Sequence, residues 1–438
     1  MSTTTEQASR SRRRAAKSIA LTLGMVLLAA LAAAPRAQAQ TYNVLYNFTN
    51  GTDGGVPNGS LIQDKAGSFY GTTYQGAGSG CGGSGCGTVF KLTKTGTLTT
   101  LYTFTGGSDG GNPQAGVILS GNTLYGTTTY GGNLNCNIYN GSGCGVVFKL
   151  NIETGAETVL YSFTGGADGG VPWYAGLVRD DAGNLYGTTA FGGGGFAICP
   201  IGCGVVYKVD PDEKTETVLH TFAGSDGAHP DWSLTVDATG NVLYGTTIVG
   251  GSTSGTGCAD AGCGVAFSLR IKTDEYKVLY NFTGGTDGGY PGLLSIGKAG
   301  VLYGTTFASS GCGTCGVVFE VVPETGKETM LYTFTGGADG GVPWAGVVLD
   351  KEGNLYGTTA IGGSGQGSSG NGVVFKLDPK TGMETVLHTF DYTDGSFPFE
   401  NLFLDARGTL YGTTSGGGTD GTGCGGYGCG NAFSLHPY

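Results

Sequence analysis

The chain has 438 residues, of which 39% are hydrophobic and 13% charged, with 89 glycines and a formal net charge of −11. That apolar content excludes a disordered chain despite the glycine, and the acidic balance excludes a nucleic-acid or anionic-lipid binder that works by charge. Beyond residue 39 no stretch is long and apolar enough to span a bilayer.

In chain order the first element is a leader. Arg10, Arg12, Arg13, Arg14 and Lys17 form a basic region, residues 19–34 an apolar one, and Ala37-Gln38-Ala39 a small-residue cleavage site. An uncleaved anchor is the rival reading, but the apolar run is short and alanine-rich, which favours cleavage. Ala15-Ala16 follow Arg13-Arg14 where a twin-arginine export signal has bulky apolar residues. Residues 1–39 are therefore expected to be a signal peptide, residues 40–438 one domain, and the protein exported. Removing the leader takes away six basic residues and Glu6, leaving 16 basic and 32 acidic residues, a net of −16.

After the leader the chain repeats itself. Tyr-Gly-Thr-Thr begins at Tyr70, Tyr125, Tyr186, Tyr244, Tyr303, Tyr356 and Tyr411, at intervals of 55, 61, 58, 59, 53 and 55 residues. A period of this size marks a repeat architecture. Around the third copy four short β-rich runs can be read: a (175–178), b (185–189), c (205–209) and, closing the preceding unit, d (158–163). Val159, Tyr161 and Phe163 alternate along d, and Val205, Tyr207 and Val209 along c; the intervening faces are partly apolar too. Sheets apolar on both faces must be stacked between neighbours. Asp180/Gly183, Asp350/Gly353 and their counterparts mark a–b hairpins, and Pro379-Lys380-Thr381-Gly382 marks a c–d hairpin. The mature chain opens on a lone run d (42–48) and closes on a run c without its d (431–435). Joined, they complete one unit. The predicted fold is all-β: a seven-bladed β-propeller of four-stranded antiparallel blades, closed by the N-terminal strand completing the last blade. An open solenoid would not need complementary half-units at its ends.

Leu-Tyr-Gly-Thr-Thr, Gly-Val-Val-Phe-Lys-Leu and Phe-Thr-Gly-Gly-x-Asp-Gly-Gly-x-Pro recur in fixed order over residues 42–435. In these motifs the chain resembles the GloVer tandem repeat of exported bacterial choice-of-anchor proteins. The resemblance implies an extracytoplasmic repeat protein and no particular reaction. Members often end in an anchoring tail, whereas this sequence ends at His436-Pro437-Tyr438.

The twelve cysteines form six close pairs: Cys81/Cys86, Cys136/Cys144, Cys199/Cys203, Cys258/Cys263, Cys312/Cys315 and Cys424/Cys429. In an exported chain these read as disulfides in the b–c loops. Zinc would need four ligands converging from two blades, and the spacing of Cys312 and Cys315 lacks a redox motif's strand-to-helix setting. The sixth copy carries residues 364–369 in the same loop without cysteine, so the fold does not require the bridge. Asp53, Asp109, Asp168, Asp226, Asp287, Asp339 and Asp394 occur once per copy in the d–a loops. One carboxylate per loop is not a calcium site, and a residue present in every copy reads as a loop cap. His220 and His388 take the run-d position of a tyrosine in other copies and read as packing substitutes.

Long b–c and d–a loops share one face of a propeller, and that face is where binding is expected. At the start of run a on that face stand Trp173, Tyr174, Asp231, Trp232, Trp344, Phe399 and Glu400, with His229, Tyr290 and Phe397 just before the loop proline. All three tryptophans are in this set. Aromatic faces with a few polar groups suit sugar rings or a peptide; the same residues could instead cap blade ends. No nucleophile elbow, zinc-protease helix or phosphate loop occurs. The expected function is a monomeric, cofactor-free and metal-free module binding carbohydrate or protein without catalysis. The alternatives are a carbohydrate-active enzyme using Asp231 and Glu400 as paired acids, or a purely structural envelope protein.

Overall fold

Alternating apolar runs separated by Asp-Gly turns fold here as seven antiparallel sheets, one per copy. The computed structural model describes residues 40–437 except 137, 139–141, 196–198, 254–257, 259–260, 309–314, 364–369, 419–423 and 425. The predicted leader, Cys312 and the cysteine-free loop 364–369 lie outside these residues. In the third blade the strands run Val178–Arg179, Leu185–Thr189, Val205–Asp210 and Thr215–Thr221 in a–b–c–d order. Strand a is shorter than the expected 175–178, because residues 175–177 pack against neighbouring blades instead of extending the ladder. The fifth sheet carries an extra strand, Gly289–Pro291.

The ring closes as the two ends require. Thr41–Asn47 lies beside Asn431–His436 and completes the last blade. The core is divided among the seams between blades. One cluster joins Tyr186, Val206 and Phe222 to Leu234, Leu243 and Phe267 of the next blade. Another joins Phe48, Tyr411 and Ala432 of the last blade to Leu61, Phe69 and Phe90 of the first. That last seam would not exist in an open solenoid, so the structure is a closed seven-bladed propeller.

Each residue of Tyr-Gly-Thr-Thr has one job. In four copies the tyrosine hydroxyl donates to the a–b turn aspartate, as from Tyr186 to Asp180 at 2.9 Å and from Tyr356 to Asp350 at 3.0 Å. The glycine lies under the aromatic ring of strand c; a Cβ on Gly71 would sit 2.6 Å from Phe90 Cζ. The first threonine donates to a carbonyl of the next blade, as from Thr127 to Ala175 at 2.9 Å. The second caps the b–c loop, as from Thr189 to the Phe191 carbonyl at 2.9 Å. The loop aspartates are caps as well: Asp168 accepts from the Thr164 N–H and from the Tyr161 hydroxyl. Cys81–Cys86, Cys136–Cys144, Cys199–Cys203, Cys258–Cys263 and Cys424–Cys429 are disulfides, and Cys315 is bonded too.

The seams hold a pattern that the sequence reading missed. In four of the five seams where strand d carries a tyrosine, the next blade's strand d sets a glutamate near the tyrosine's loop aspartate; facing Tyr46 and Asp53, strand Leu98–Thr103 carries none. The pairs are Glu157 with Asp109, Glu216 with Asp168, Glu328 with Asp287 and Glu384 with Asp339. Where strand d carries a histidine, the next blade offers a tyrosine: His220 stacks on Tyr276 at 3.8 Å and His388 on Tyr42 at 3.7 Å. His220 and His388 also hold Asp226 and Asp394 at 3.0 and 2.8 Å. They are therefore more than packing substitutes, since each change of ring is matched across the seam.

Burial, and then the facing aspartate, push each of the four glutamates up to about 7, and each has a buried Oε1 with no hydrogen-bond partner. The folded state holds these protons up to about pH 7, whereas the unfolded chain releases them near 4.5. Between those values the folded state binds more protons, so stability falls as pH rises. Turn aspartates such as Asp180 shift the other way: burial there is outweighed by hydrogen bonds from Asn184 and Tyr186, and that stability is lost only as pH falls below the usual carboxylate range. The melting temperature is expected to decline from pH about 5 to about 8, and Glu→Gln at the four positions together to flatten that slope. A calorimetric melting point that stays level or rises over the same range would sink this account.

Candidate functional site

The site is built where the d–a loops lead into strand a. Three residues before strand a stand Gly59, Ala115, Ala175, Trp232, Gly292, Ala345 and Glu400. In successive seams Thr72, Thr127, Thr188, Thr246 and Thr305 donate to the carbonyls of Ala115, Ala175, Trp232, Gly292 and Ala345. These lead-in segments therefore run side by side from blade to blade and form the innermost ring. A Cβ on Gly116 would be 3.0 Å from Ser60 N, and one on Gly346 would be 2.7 Å from the Leu293 carbonyl. Small residues fit this crowded ring; Trp232 and Glu400 break the pattern. Thr358 donates to the Pro398 carbonyl instead, and the Thr413 hydroxyl has no partner.

The residue before the loop proline has a left-handed backbone in every blade, at Val56, Asn112, Val171, His229, Tyr290, Val342 and Phe397. Such a conformation costs a non-glycine residue roughly 1–2 kcal/mol. Backbone hydrogen bonds hold it: the His229 N–H donates to the Cys203 carbonyl, and the His229 carbonyl accepts from Ile248 N–H. The device recurs in every blade, so it serves the scaffold; three of the candidates happen to stand on it.

The ring contacts join the aromatic candidates into one chain. His229 meets Phe191 edge-on at 4.9 Å, and Phe191 meets Trp173 at 6.2 Å. Trp173 stacks with Tyr174 at 6.4 Å, and Tyr174 with Trp232 at 5.3 Å. Trp344 stands across Tyr174 at 6.3 Å and Trp232 at 5.7 Å, and leads through Phe399 at 5.9 Å to Phe397. Tyr290 joins through Phe307, which lies 4.8 Å from Trp344. Tyr174 and Trp344 belong to the third and sixth blades, so their contact spans the axis. The sixth-blade ring reaches Trp232 because the fifth blade carries Gly292 between them. Trp232, Ile248, Tyr290, Phe307 and Trp344 enclose an apolar hollow of ≈ 130 Å³.

Asp231 and Glu400 are 7% and 8% exposed. Burial pushes Asp231 up to about 8 and holds Glu400 well above the usual carboxylate range. Ser60 donates to Glu400 Oε2 at 3.2 Å, while Glu400 Oε1 and Asp231 Oδ1 have no partner. Burial and then the charges of Glu400 and Asp231 raise the Tyr174 hydroxyl, which places both carboxyls within electrostatic reach of one ring. Burial lowers His229. Among the described residues no group of three or more His, Cys, Asp or Glu side chains could hold a metal ion.

The sequence reading missed Tyr74, Ile248 and Phe307. All three directly follow Tyr-Gly-Thr-Thr, where the seven copies read Tyr, Thr, Ala, Ile, Phe, Ala and Ser. Variation beside an invariant motif was the available signal. Tyr74 also lines a polar cavity of ≈ 420 Å³ with Gln75, Ser84, Asn112 and Tyr130 between the first two blades.

Fold and site together define a disulfide-bonded, seven-bladed tandem-repeat propeller with an aromatic basin at one mouth of its axis. The chain matches the Gloeobacter/Verrucomicrobia repeat over residues 34–259 and 251–426, and it belongs to that family. No curated protein matches it in sequence. Among solved structures, it is similar to a putative 6-phosphogluconolactonase from Bacteroides uniformis, with TM-score 0.46 and 17% identity over 75% of this chain and 83% of that one. It is also similar to the extracellular domain of a putative hybrid two-component system from B. thetaiotaomicron, with TM-score 0.49 and 12% identity over 92% of this chain and 43% of that one. An oligogalacturonate lyase from Vibrio parahaemolyticus gives TM-score 0.45 and 10% identity over 91% and 97%. At these values the likenesses say nothing of what this chain does.

Proposed function

We propose that the protein is an exported, monomeric, non-catalytic propeller that binds carbohydrate in the aromatic basin at its axis. The observation that carries this reading is the unbroken chain of rings from Trp173 through Tyr174, Trp232 and Trp344 to Phe399. Side chains from four blades supply it, although a blade's own packing requires none of them. Flat apolar faces beside buried hydrogen-bonding groups suit the faces and hydroxyls of a sugar. The residue 1–39 leader and the disulfides support an oxidising compartment outside the cytoplasm. Burial disfavours the charged form of both Asp231 and Glu400, whereas a glycosidase acid pair needs one ionised carboxylate as nucleophile or base.

All three tryptophans lie in the basin, so intrinsic fluorescence reports on it directly. A glycan array followed by fluorescence titration is expected to find a saccharide ligand. Trp344→Ala is expected to weaken that ligand at least about tenfold. A blank array, or capture of a protein partner that ignores Trp344→Ala, would remove the carbohydrate reading. Turnover of a polysaccharide that vanishes in Glu400→Gln would replace it with an enzyme.

A further inference from the structure

The loop face of the propeller is divided between two kinds of side chain. The residue after the loop proline is Asn58 or Gln114 in the first two blades, and Trp173, Trp344 or Phe399 in the third, sixth and seventh. The second residue after Tyr-Gly-Thr-Thr is Gln75 or Tyr130 in the first two blades and has no hydrogen-bonding side chain in the other five. Five blades build the same loop position without that polar pair, so the scaffold does not require it. Tyr74, Gln75, Ser84, Asn112, Tyr130 and Ser142 line the cavity of ≈ 420 Å³ between the first two blades. Cys81, bridged to Cys86, forms part of its wall, and the Asn112 amide is fixed by its bond to the Tyr74 carbonyl at 2.8 Å. Amide and phenol groups both donate and accept, as the hydroxyls of a sugar do. Small-molecule sites measure roughly 300–1,000 Å³. This cavity falls inside that range, whereas the apolar hollow beside Trp344, at ≈ 130 Å³, does not. A hollow of that size holds about one bare six-membered ring, so most of a saccharide has to lie elsewhere.

The cavity adjoins the chain of rings. Tyr130 lines the cavity and also packs, with Trp173, against the buried cluster of Val171, Ala190 and Phe191. Gln114 accepts from Trp173 Nε1 at 3.1 Å and donates to the Thr129 hydroxyl at 3.2 Å. That amide ties the second blade, at the residue before Tyr130, to the first tryptophan of the basin. From Trp173 the ring contacts continue through Tyr174 and Trp232 to Trp344. Polar cavity and aromatic basin are therefore neighbouring parts of one surface, and an extended ligand can occupy both.

We propose that this cavity is a second subsite, so that the protein takes an extended oligosaccharide, one end on the tryptophans and the other between the first two blades. This rests on the carbohydrate reading above and adds the length of the ligand to it. The full chain is titrated calorimetrically with β-1,4-linked oligomers of glucose, xylose, mannose and N-acetylglucosamine, each from two to six units. In a series that binds, the hexamer is expected to bind at least about tenfold more tightly than the dimer, because its second contact is intramolecular. Tyr74→Ala and Gln75→Ala are each expected to remove most of that gain and to leave dimer affinity unchanged. Both side chains lie outside the hydrophobic clusters around them, so both variants are expected to melt with the parent. Trp344→Ala is expected to weaken dimer and hexamer alike. Affinity that does not rise with length, or hexamer binding untouched by both cavity variants, overturns the second subsite and leaves the carbohydrate reading standing. Dimer binding that is lost in Tyr74→Ala and kept in Trp344→Ala overturns both, by placing the sugar in the cavity alone. No binding in any series removes this inference together with the reading beneath it.

Discussion

A chain lacking residues 40–48 is expected not to form a closed ring. The N-terminal strand is the fourth strand of the last blade, and it covers both seams of that blade. Phe48 is fully buried against Phe90 of the first blade, at 5.2 Å. Tyr42 stacks on His388 of the sixth blade, donates to the Asp394 carbonyl at 2.7 Å and lies 5.4 Å from Phe433. Losing a buried phenylalanine alone costs about 3–5 kcal/mol. Tyr42, Leu45 and the strand's ladder add to that, against a net stability of about 5–15 kcal/mol for a typical domain. The deletion also leaves Asn431–His436 as a bare edge, a template for association. The expected outcome is aggregation, or a monomer that has lost its cooperative melt, and recovery when a synthetic peptide of residues 40–48 is supplied. A truncated monomer melting within a few degrees of the parent would mean that the clasp contributes little.

The second large effect is expected at Gly204, where strand c begins. Gly204 has φ +91°, and a Cβ there would run into the Thr189 carbonyl oxygen and come within 2.7 Å of Pro230 Cδ. The backbone has no room to yield, because the Gly204 N–H donates to the Gly192 carbonyl and the Gly204 carbonyl accepts from Phe222 N–H. Gly353, in an a–b turn, has φ +97° and nothing within 4 Å of its would-be Cβ. Gly353→Ala is thus expected to cost only the left-handed conformation, about 1–2 kcal/mol. Gly204→Ala is expected to cost that and about 1–3 kcal/mol of overpacking besides. Urea titrations of the two variants separate the terms, and equal midpoints would show that the crowding at Gly204 relaxes without cost.

The residues that were misjudged share one trait. Strand b at Leu185–Thr189 was legible to the residue, because an invariant motif and flanking turns are local signals. Strand a was not, because contacts with other blades shorten it. His220 and His388 looked like substitutes because their matching changes, Tyr276 and Tyr42, stand in the next blade's run and not beside them. The aromatic candidates were visible as departures from the repeat at one position, and they are the residues that meet on the axis. Phe307 and Ile248 depart at a different position, and only the ring contact with Trp344 and the shared hollow relate them to the first set.

By itself the sequence determined the repeating unit, its four strands and turns, the pairing of nearby cysteines and the complementarity of its two ends. Each of these depends on alternation, turn chemistry or short loops, which act over a few residues. The tertiary structure alone decided which departures become neighbours, which seams pair an acid with an acid, and that Asp231 and Glu400 are buried. Those outcomes follow from closing seven sheets around one axis. Closure brings side chains a blade or more apart in sequence into contact, and it buries the two carboxyls beside the innermost ring.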